Sequence, residues 1–590
     1  MTKVIKEQSI LSLLRQADYS ELAYQFAKYI ERQDNNSDAL IVLTAALLSE
    51  AVSKGHVCLN LVRVGELGMG LDEILPDSVA LWVTKLRESH LVGKAGDLTP
   101  LVLTDSGLLY LYRYWQAEHQ VAVLIRERLK SVALQDETLL KQYIANWTSS
   151  QPELDWQKVA VLMALTRQFC VISGGPGTGK TTIVIRLLEA FSNQDKTLRV
   201  ALAAPTGKAA ARMQQAIAMV RQDSSKEDVL AKTVHRLLGI TPNNEQGKYN
   251  AENPLAVDVL IVDEASMIDI LLMSKILKAL PKTARLILLG DSKQLASVDS
   301  GAVLADLCRA YAGFSECFAE GVLRLTGQAL PSVKATSLMA DTVVILKHSY
   351  RFDKQSEIGQ LAQSVQAGDS DKFINVLMRT GDTIWWQKKM DKATIVKRVM
   401  KLYFTFFEAI KTQQDPLTCM QLFEKTQVLC ALNNGAESVD SVNSLIERAL
   451  AKQSWRTHQG FYHGRPIMVM KNDYSQGLFN GDTGLVMNND QGVLAACFLD
   501  NRMLRWVPLN RLPAHETAYA MTVHKSQGSE FEEVCIILPE QATALLTREL
   551  LYTAMTRAKV KISLIATESI LIQAVTSQQD REMGLMMEID

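Results

Sequence analysis

The sequence predicts an α/β protein with two parallel-sheet domains, a small β-barrel inserted in the second and a mostly helical unit ahead of the first. Two observations point there. Short apolar runs rich in β-branched residues alternate with helical stretches from about residue 148, and this texture of strands covered on both faces returns near 343. Between about 455 and 515 it gives way to polar-alternating runs separated by Gly turns.

Residues 1–147 read as amphipathic helix. LTAALLSEAVSKG closes on a Gly, and LLYLYRYWQAEHQVAVLIRERL is apolar on one side and charged on the other. No catalytic constellation appears there, which suits a docking domain or a plain helical bundle. The first α/β domain, 148–345, is expected to use QFCVIS, LRVALAA, VDVLIVD and RLILLGD as strands; DTVVILKHSY, TQVLCAL, EEVCIILP and KISLIA are read with the second, 346–590. GRPIMVMKND, LFNGDTGLVMNNDQGVLAACF and RMLRWVPL make the insertion.

Composition narrows the function classes. The 63 Lys and Arg nearly cancel the 64 Asp and Glu over 590 residues, so any nucleic-acid site must be a local groove. The longest apolar run, near Ala39 to Leu48, falls short of the roughly 20 residues of a membrane helix, and the opening MTKVIKEQSILSLL lacks a secretory core. A cytoplasmic protein without a membrane partner is expected. Eight scattered cysteines with no CxxC make neither zinc nor disulfides expected.

After QFCVIS, the run Ser173, Gly174, Gly175, Pro176, Gly177, Thr178, Gly179, Lys180, Thr181 and Thr182 opens the helix TTIVIRLLEAF. Glycines in that setting let backbone N–H groups turn toward phosphates at a helix N-terminus. Lys180 is expected to reach the β and γ phosphates of ATP or GTP and the Thr181 hydroxyl to bind Mg²⁺. VDVLIV then delivers Asp263 and Glu264 to the carboxyl end of a parallel strand, where Asp263 suits the metal and Glu264 the attacking water.

The strand RLILL ends in Gly290, Asp291, Ser292, Lys293, Gln294 and Leu295, and the pair DEAS with GDxxQL resembles superfamily 1 helicases. Other stretches match that family in order. Gln157 resembles its adenine-reading glutamine, and Gln294 its γ-phosphate sensor. APTGKAAAR, with Pro205, Thr206 and Lys208, and TVHRL, with Thr233 and His235, resemble its first-domain DNA contacts. Ser349, Tyr350, Arg351 and Phe352 resemble the motif that offers an arginine to the γ-phosphate and an aromatic to the base. AMTVHKSQGSEF and LLYTAMTRAK imply a second arginine finger at Arg557, a ribose contact at Glu530 and DNA contacts at Thr522, His524 and Lys525. Arginines of one domain facing phosphates held by the other make hydrolysis depend on closure.

The resemblance covers about 150–570 and is identified with the RecD branch, which moves 5′→3′ on single strands. It implies two RecA-like P-loop motor domains with an SH3-like barrel carrying Phe479–Gly484. AALLSEAVSKGHVCLNL resembles the amino-terminal domain of the RecBCD (exonuclease V) members; the free-standing relatives carry a longer, different extension. The implied setting is a heterotrimer with RecB and RecC on the 5′-ended strand at a duplex end, in double-strand break repair by homologous recombination and degradation of linear DNA. No nuclease-like carboxylate and lysine cluster is seen, so cleavage is expected of RecB. A free-standing helicase and a regulatory ATPase subunit are the alternatives, and 322–342 and 385–425 carry no motif.

Overall fold

The computed structural model describes the chain except residues 1–9, 17–18, 34–37, 65–77, 135, 148–153, 221–229, 335–336, 352–354, 380, 389–390, 453–459, 474, 501–502 and 590. Phe352 and the expected start of the insertion at 455 lie outside the described residues.

In the N-terminal unit, Ala39–Ser53 is buried on nearly every side, and Asp38 caps it by accepting from Leu40 N. Its continuous apolar run is therefore that of a core helix, and no described helix is long and apolar enough to cross a membrane. The unit is mostly helical, and beside its helices it holds a small sheet. Strands β1 (Leu59–Asn60), β2 (Val92–Gly93), β3 (Leu101–Leu103) and β4 (Leu108–Leu111) form a sheet in the order β1-β4-β3-β2. LLYL, read as helix, is β4: it hairpins onto β3 through Gly107 at φ 80°, and the helix begins only at Tyr112. A four-residue apolar run fits either period, so spacing alone did not decide it.

Helix Tyr112–Arg126 then leaves this unit and packs on Ile270–Ala279, covering one face of the first parallel sheet. That sheet has strands β5 (Phe169–Gly174), β6 (Val200–Ala204), β7 (Ala231–Thr233), β8 (Val259–Val262), β9 (Arg285–Gly290) and β10 (Val343–Leu346), in the order β10-β5-β9-β8-β6-β7. All neighbours run parallel, so the segments after β5, β6, β7, β8 and β9 leave from one edge. DTVVIL, read with the second domain, is β10: its apolar residues pair Val343 with Val171 beside β5.

The second parallel sheet contains β11 (Ile384–Gln387) and β12 (Thr426–Cys430). The chain then makes an antiparallel sheet of β13 (Arg465–Val469), β14 (Thr483–Asn488), β15 (Leu494–Asp500), β16 (Met503–Pro508) and β17 (His515–Thr517), in the order β16-β15-β14-β13-β17. It has its own small core around Ile467, Val486 and Phe498. The parallel sheet resumes with β18 (Ala520–Thr522), β19 (Phe531–Ile537) and β20 (Ala558–Ile565), in the order β11-β20-β19-β12-β18.

After helix Glu568–Thr576 the chain turns back. Residues counted with the second domain lie instead on the N-terminal unit: Val57 N donates to Glu582 O at 2.9 Å, and Gly584 N donates to Glu118 Oε1 at 3.0 Å. Helix Leu585–Ile589 buries Leu585 and Ile589 against the core under Tyr112–Arg126. Arg581, 7% exposed, donates to Asp299 O and Gly301 O, each at 2.9 Å.

Candidate functional site

The loop after β5 is held by what a side chain would collide with. Gly177 and Gly179 have φ of 75° and 84°, the left-handed region that favours glycine. A Cβ on Gly177 would stand 2.2 Å from Arg351 Cβ, and one on Gly179 2.2 Å from Gln157 Nε2. Thr178 Oγ1 donates to Gly175 O at 2.8 Å, and Lys180 Nζ donates to Gly174 O at 2.6 Å. From beyond the sheet, Tyr350 N donates to Gly177 O and Ser349 Oγ to Pro176 O. Pro176 through Thr181 line the cleft; Thr182 sits behind, in the first turn of helix Lys180–Gln194.

Asp263 and Glu264 enter the same cleft from the end of β8. Glu264 is held at φ 51°, a backbone position costing a non-glycine residue of order 1–3 kcal/mol. Protein surrounds the Asp263 carboxylate: lost hydration first, then the charge of Glu264, push its pKa up to about 6, against the pull of Lys180. Two crowded acids facing a lysine and Thr181 fit a divalent cation. Among the described residues no group of three or more His, Cys, Asp or Glu side chains forms a cation site by itself.

The expected sensor and finger meet across the two sheets. Gln294 Nε2 donates to Asp291 Oδ2 at 3.0 Å while its Oε1 accepts from Arg557 at 2.9 Å. Tyr552 OH donates to Asp291 at 3.2 Å, and Leu295 N to Thr553 Oγ1 at 2.8 Å. Arg557, 3% exposed, also donates to Thr553 O and Ser529 O; burial pulls its pKa down, opposed by Glu264 and Glu530.

Glu530, expected at a ribose, faces cations: Arg212, Arg351 at 2.7 Å and Lys559 at 3.5 Å. Burial raises its pKa, but Arg212 and Arg351 overcome that and hold it at about 2. Arg212 lines the cleft and is the residue that motif reading missed, although it ends the segment APTGKAAAR. Gln157 donates to Thr178 O at 3.0 Å and accepts from Arg186 at 2.6 Å, at the wall of a side recess shared with His348 and Tyr350. Tyr350 is 55% exposed and packs edge-on to His348.

The expected DNA residues are less uniform. Pro205, Thr206 and Lys208 follow β6, and Thr206 Oγ1 caps the next helix by accepting from Ala209 N. Lys208 is half-buried near Asp482 and Glu424, and its lost hydration pulls its pKa down. Thr233 caps helix Val234–Leu238, leaving His235 and Arg236 exposed; Arg236 lies 5.9 Å over the Phe479 ring of the inserted sheet. Thr522 is only 8% exposed, its Oγ1 accepting from Lys525 N, so it shapes the turn. Lys525 Nζ is paired with Glu516 at 2.6 Å, and His524 is half-buried.

Family models match three parts of the chain: "RecBCD enzyme subunit RecD, N-terminal domain" over 12–110, "AAA domain" over 157–300 and "UvrD-like helicase C-terminal domain" over 517–565. RecBCD enzyme subunit RecD of Haemophilus influenzae is 34% identical, covering 99% of this chain and 99% of that protein. The chain belongs to the RecD family of ATP-dependent DNA helicases. A second RecD, from Mycobacterium tuberculosis, is also 34% identical over 94% of this chain and 92% of its own. The ATP-dependent RecD2 DNA helicase of Deinococcus radiodurans is 29% identical over 77% of this chain but 55% of that protein. Among solved structures, Bacteroides Pif1 helicase with ADP-AlF3 and single-stranded DNA aligns with 67% of this chain and 88% of its own, at 19% identity and a TM-score of 0.36.

Proposed function

We propose that this RecD-family chain is the 5′→3′ motor of a RecBCD (exonuclease V) heterotrimer, pulling the 5′-ended strand at a duplex end beside RecB and RecC in the cytoplasm. The observation that carries the reading is one cleft lined by a glycine phosphate loop from the first sheet and by Arg351 and Arg557 from beyond it. Near-complete alignment with relatives named as RecBCD subunits, N-terminal domain included, favours the heterotrimer over a free-standing helicase.

Within that reading, the loop N–H groups and Lys180 hold the ATP phosphates. Thr181 and Asp263 hold Mg²⁺, which supplies charge to shield the phosphate oxygens. Glu264 orients the attacking water, and Arg351 and Arg557 neutralise charge that develops on the transferred group. Gln157 and Tyr350 flank the base. Gln294 links nucleotide to DNA, because the arginine it binds belongs to the other sheet. Pro205, Thr206, Lys208, Thr233, His235, His524 and Lys525 follow the strand through backbone contacts, and hydroxyl and histidine contacts let go more readily at each step than a polycation would. Domains are assigned as 1–147, 148–345 and 346–590, with 577–589 returning to the first.

Unwinding of 5′-tailed duplexes by the full chain, with Lys180→Gln as control, tests the motor. Equal unwinding by both would end the motor reading, and purification without two large partners in fixed ratio would end the heterotrimer.

A further inference from the structure

Helix Gly207–Val220 starts in the segment assigned to the DNA backbone and reaches the nucleotide cleft one turn later. Lys208 and Arg212 are four residues apart, so they share a face. Arg212 lines the cleft and pairs there with Glu530. Glu530 follows Lys525 by five residues, through the short turn His524–Ser526 and Gly528. Each DNA-facing segment is thus joined to the cleft by about one turn of chain, and both connections end on one ion pair.

The two segments also touch. Gly528 has a φ of 75°, and a Cβ there would stand 3.3 Å from Ala209 Cβ and 3.6 Å from Thr206 Oγ1. On the nucleotide side, Glu530 binds Arg351 at 2.7 Å, and Lys559 stands 3.5 Å away. Three cations therefore share one carboxylate. A carboxylate neutralised by one guanidinium attracts a second less strongly, so the strength of the Arg212 contact sets how firmly Arg351 is held away from phosphate.

We propose that Arg212 is a positioning residue that couples DNA to hydrolysis: by neutralising Glu530 it releases Arg351 to the γ-phosphate when DNA draws Thr206–Lys208 and His524–Lys525 together. The inference rests on the nucleotide-cleft reading given above. Arg351 and the phosphate do the chemistry; Arg212 acts through Glu530.

The test uses the full chain with the subunits that co-purify with it, measuring phosphate release with and without single-stranded DNA and binding of a fluorescent ADP analogue. Arg212→Ala should lower DNA-stimulated kcat on the order of tenfold while nucleotide Kd changes less than about threefold. Arg212→Lys should recover part of the loss. Arg212→Ala with Glu530→Gln should regain most of kcat but lose its dependence on DNA, because no carboxylate then retains Arg351. An unchanged kcat and stimulation ratio in Arg212→Ala, or a loss that Glu530→Gln leaves in place, overturns the proposal. Should Arg212→Ala fail to fold, Arg212→Lys and Glu530→Gln carry the test: a DNA-stimulation ratio equal to wild type in both overturns it. Hydrolysis surviving in Lys180→Gln would sink the cleft reading itself, whereas an inert Lys180→Gln beside an unaltered Arg212→Ala sinks only the coupling.

Discussion

After β5 the first parallel sheet turns through Gly174–Gly179 into helix Lys180–Gln194; after β12 the second turns through residues 431–438, with a single glycine at 435 and no lysine, into helix Val439–Ala451. The same strand-turn-helix geometry is present twice, and only one copy is built to receive phosphate. The second sheet contributes cations at its edge: Arg557 follows the helix Arg548–Met555 and reaches Gln294 of the first. On the proposed reading binding belongs to one sheet and hydrolysis to both, which would make catalysis a report on how the sheets are apposed.

The contrast breaks most visibly at Lys180. Lys180→Gln should cut DNA-stimulated phosphate release by at least about a thousandfold and weaken nucleotide binding as well. Arg557→Ala should lower release by roughly a hundred- to a thousandfold with nucleotide Kd nearly unchanged; a large loss of affinity would mean that both sheets bind. The sheets differ in anchoring too, since the second sends residues 577–589 onto the N-terminal unit. Arg581→Ala takes a donor from the carbonyls of both Asp299 and Gly301 and leaves them to share the Ser297 hydroxyl, and a loss of about 2 kcal/mol, read as a lower urea midpoint with protease cleavage near the tail, sharpens that difference.

Another effect in the same seam depends on pH. Glu118 is fully enclosed, and burial lifts its carboxyl pKa to about 8, partly offset by the hydrogen bond from Tyr110 OH. Between the free value of 4.5 and about 8, the folded chain holds a proton that the unfolded chain has released. Stability from this group is therefore present at low pH and falls as pH rises, by about 1.4 kcal/mol per unit. The melting temperature of Glu118→Gln should gain on wild type from pH 5 to pH 8, and a constant gap would show that Glu118 is ionised in the fold.

Contiguity governs how much could be read from the residues. The phosphate loop needs glycines, a lysine and a helix start in one stretch, so Gly174–Thr182 announces itself, as does Asp263 after a buried strand. Arg212 makes no such demand on its neighbours: an arginine on a helix reads as a surface charge until Glu530, 318 positions away, is found beside it. β10 and β4 are apolar runs whose length suits more than one partner or period. Thr522 and Lys525 belong to a motif, yet the motif does not reveal that one is buried and the other paired with Glu516. Nor does any spacing connect Arg63 with Glu582 or His119 with Glu588.

That returning tail alters how the molecule carries load. Helix Glu568–Thr576 is joined to helix Leu585–Ile589 by eight residues, several of them hydrogen-bonded along the way. Whatever grips the N-terminal unit therefore grips the second sheet through a short, hydrogen-bonded connection, and the first sheet through helix Tyr112–Arg126. The N-terminal unit is a handle common to both moving parts. A fluorophore placed at the C-terminal end would report on that handle, while one on Met503 of the inserted sheet would report on the motor's stroke.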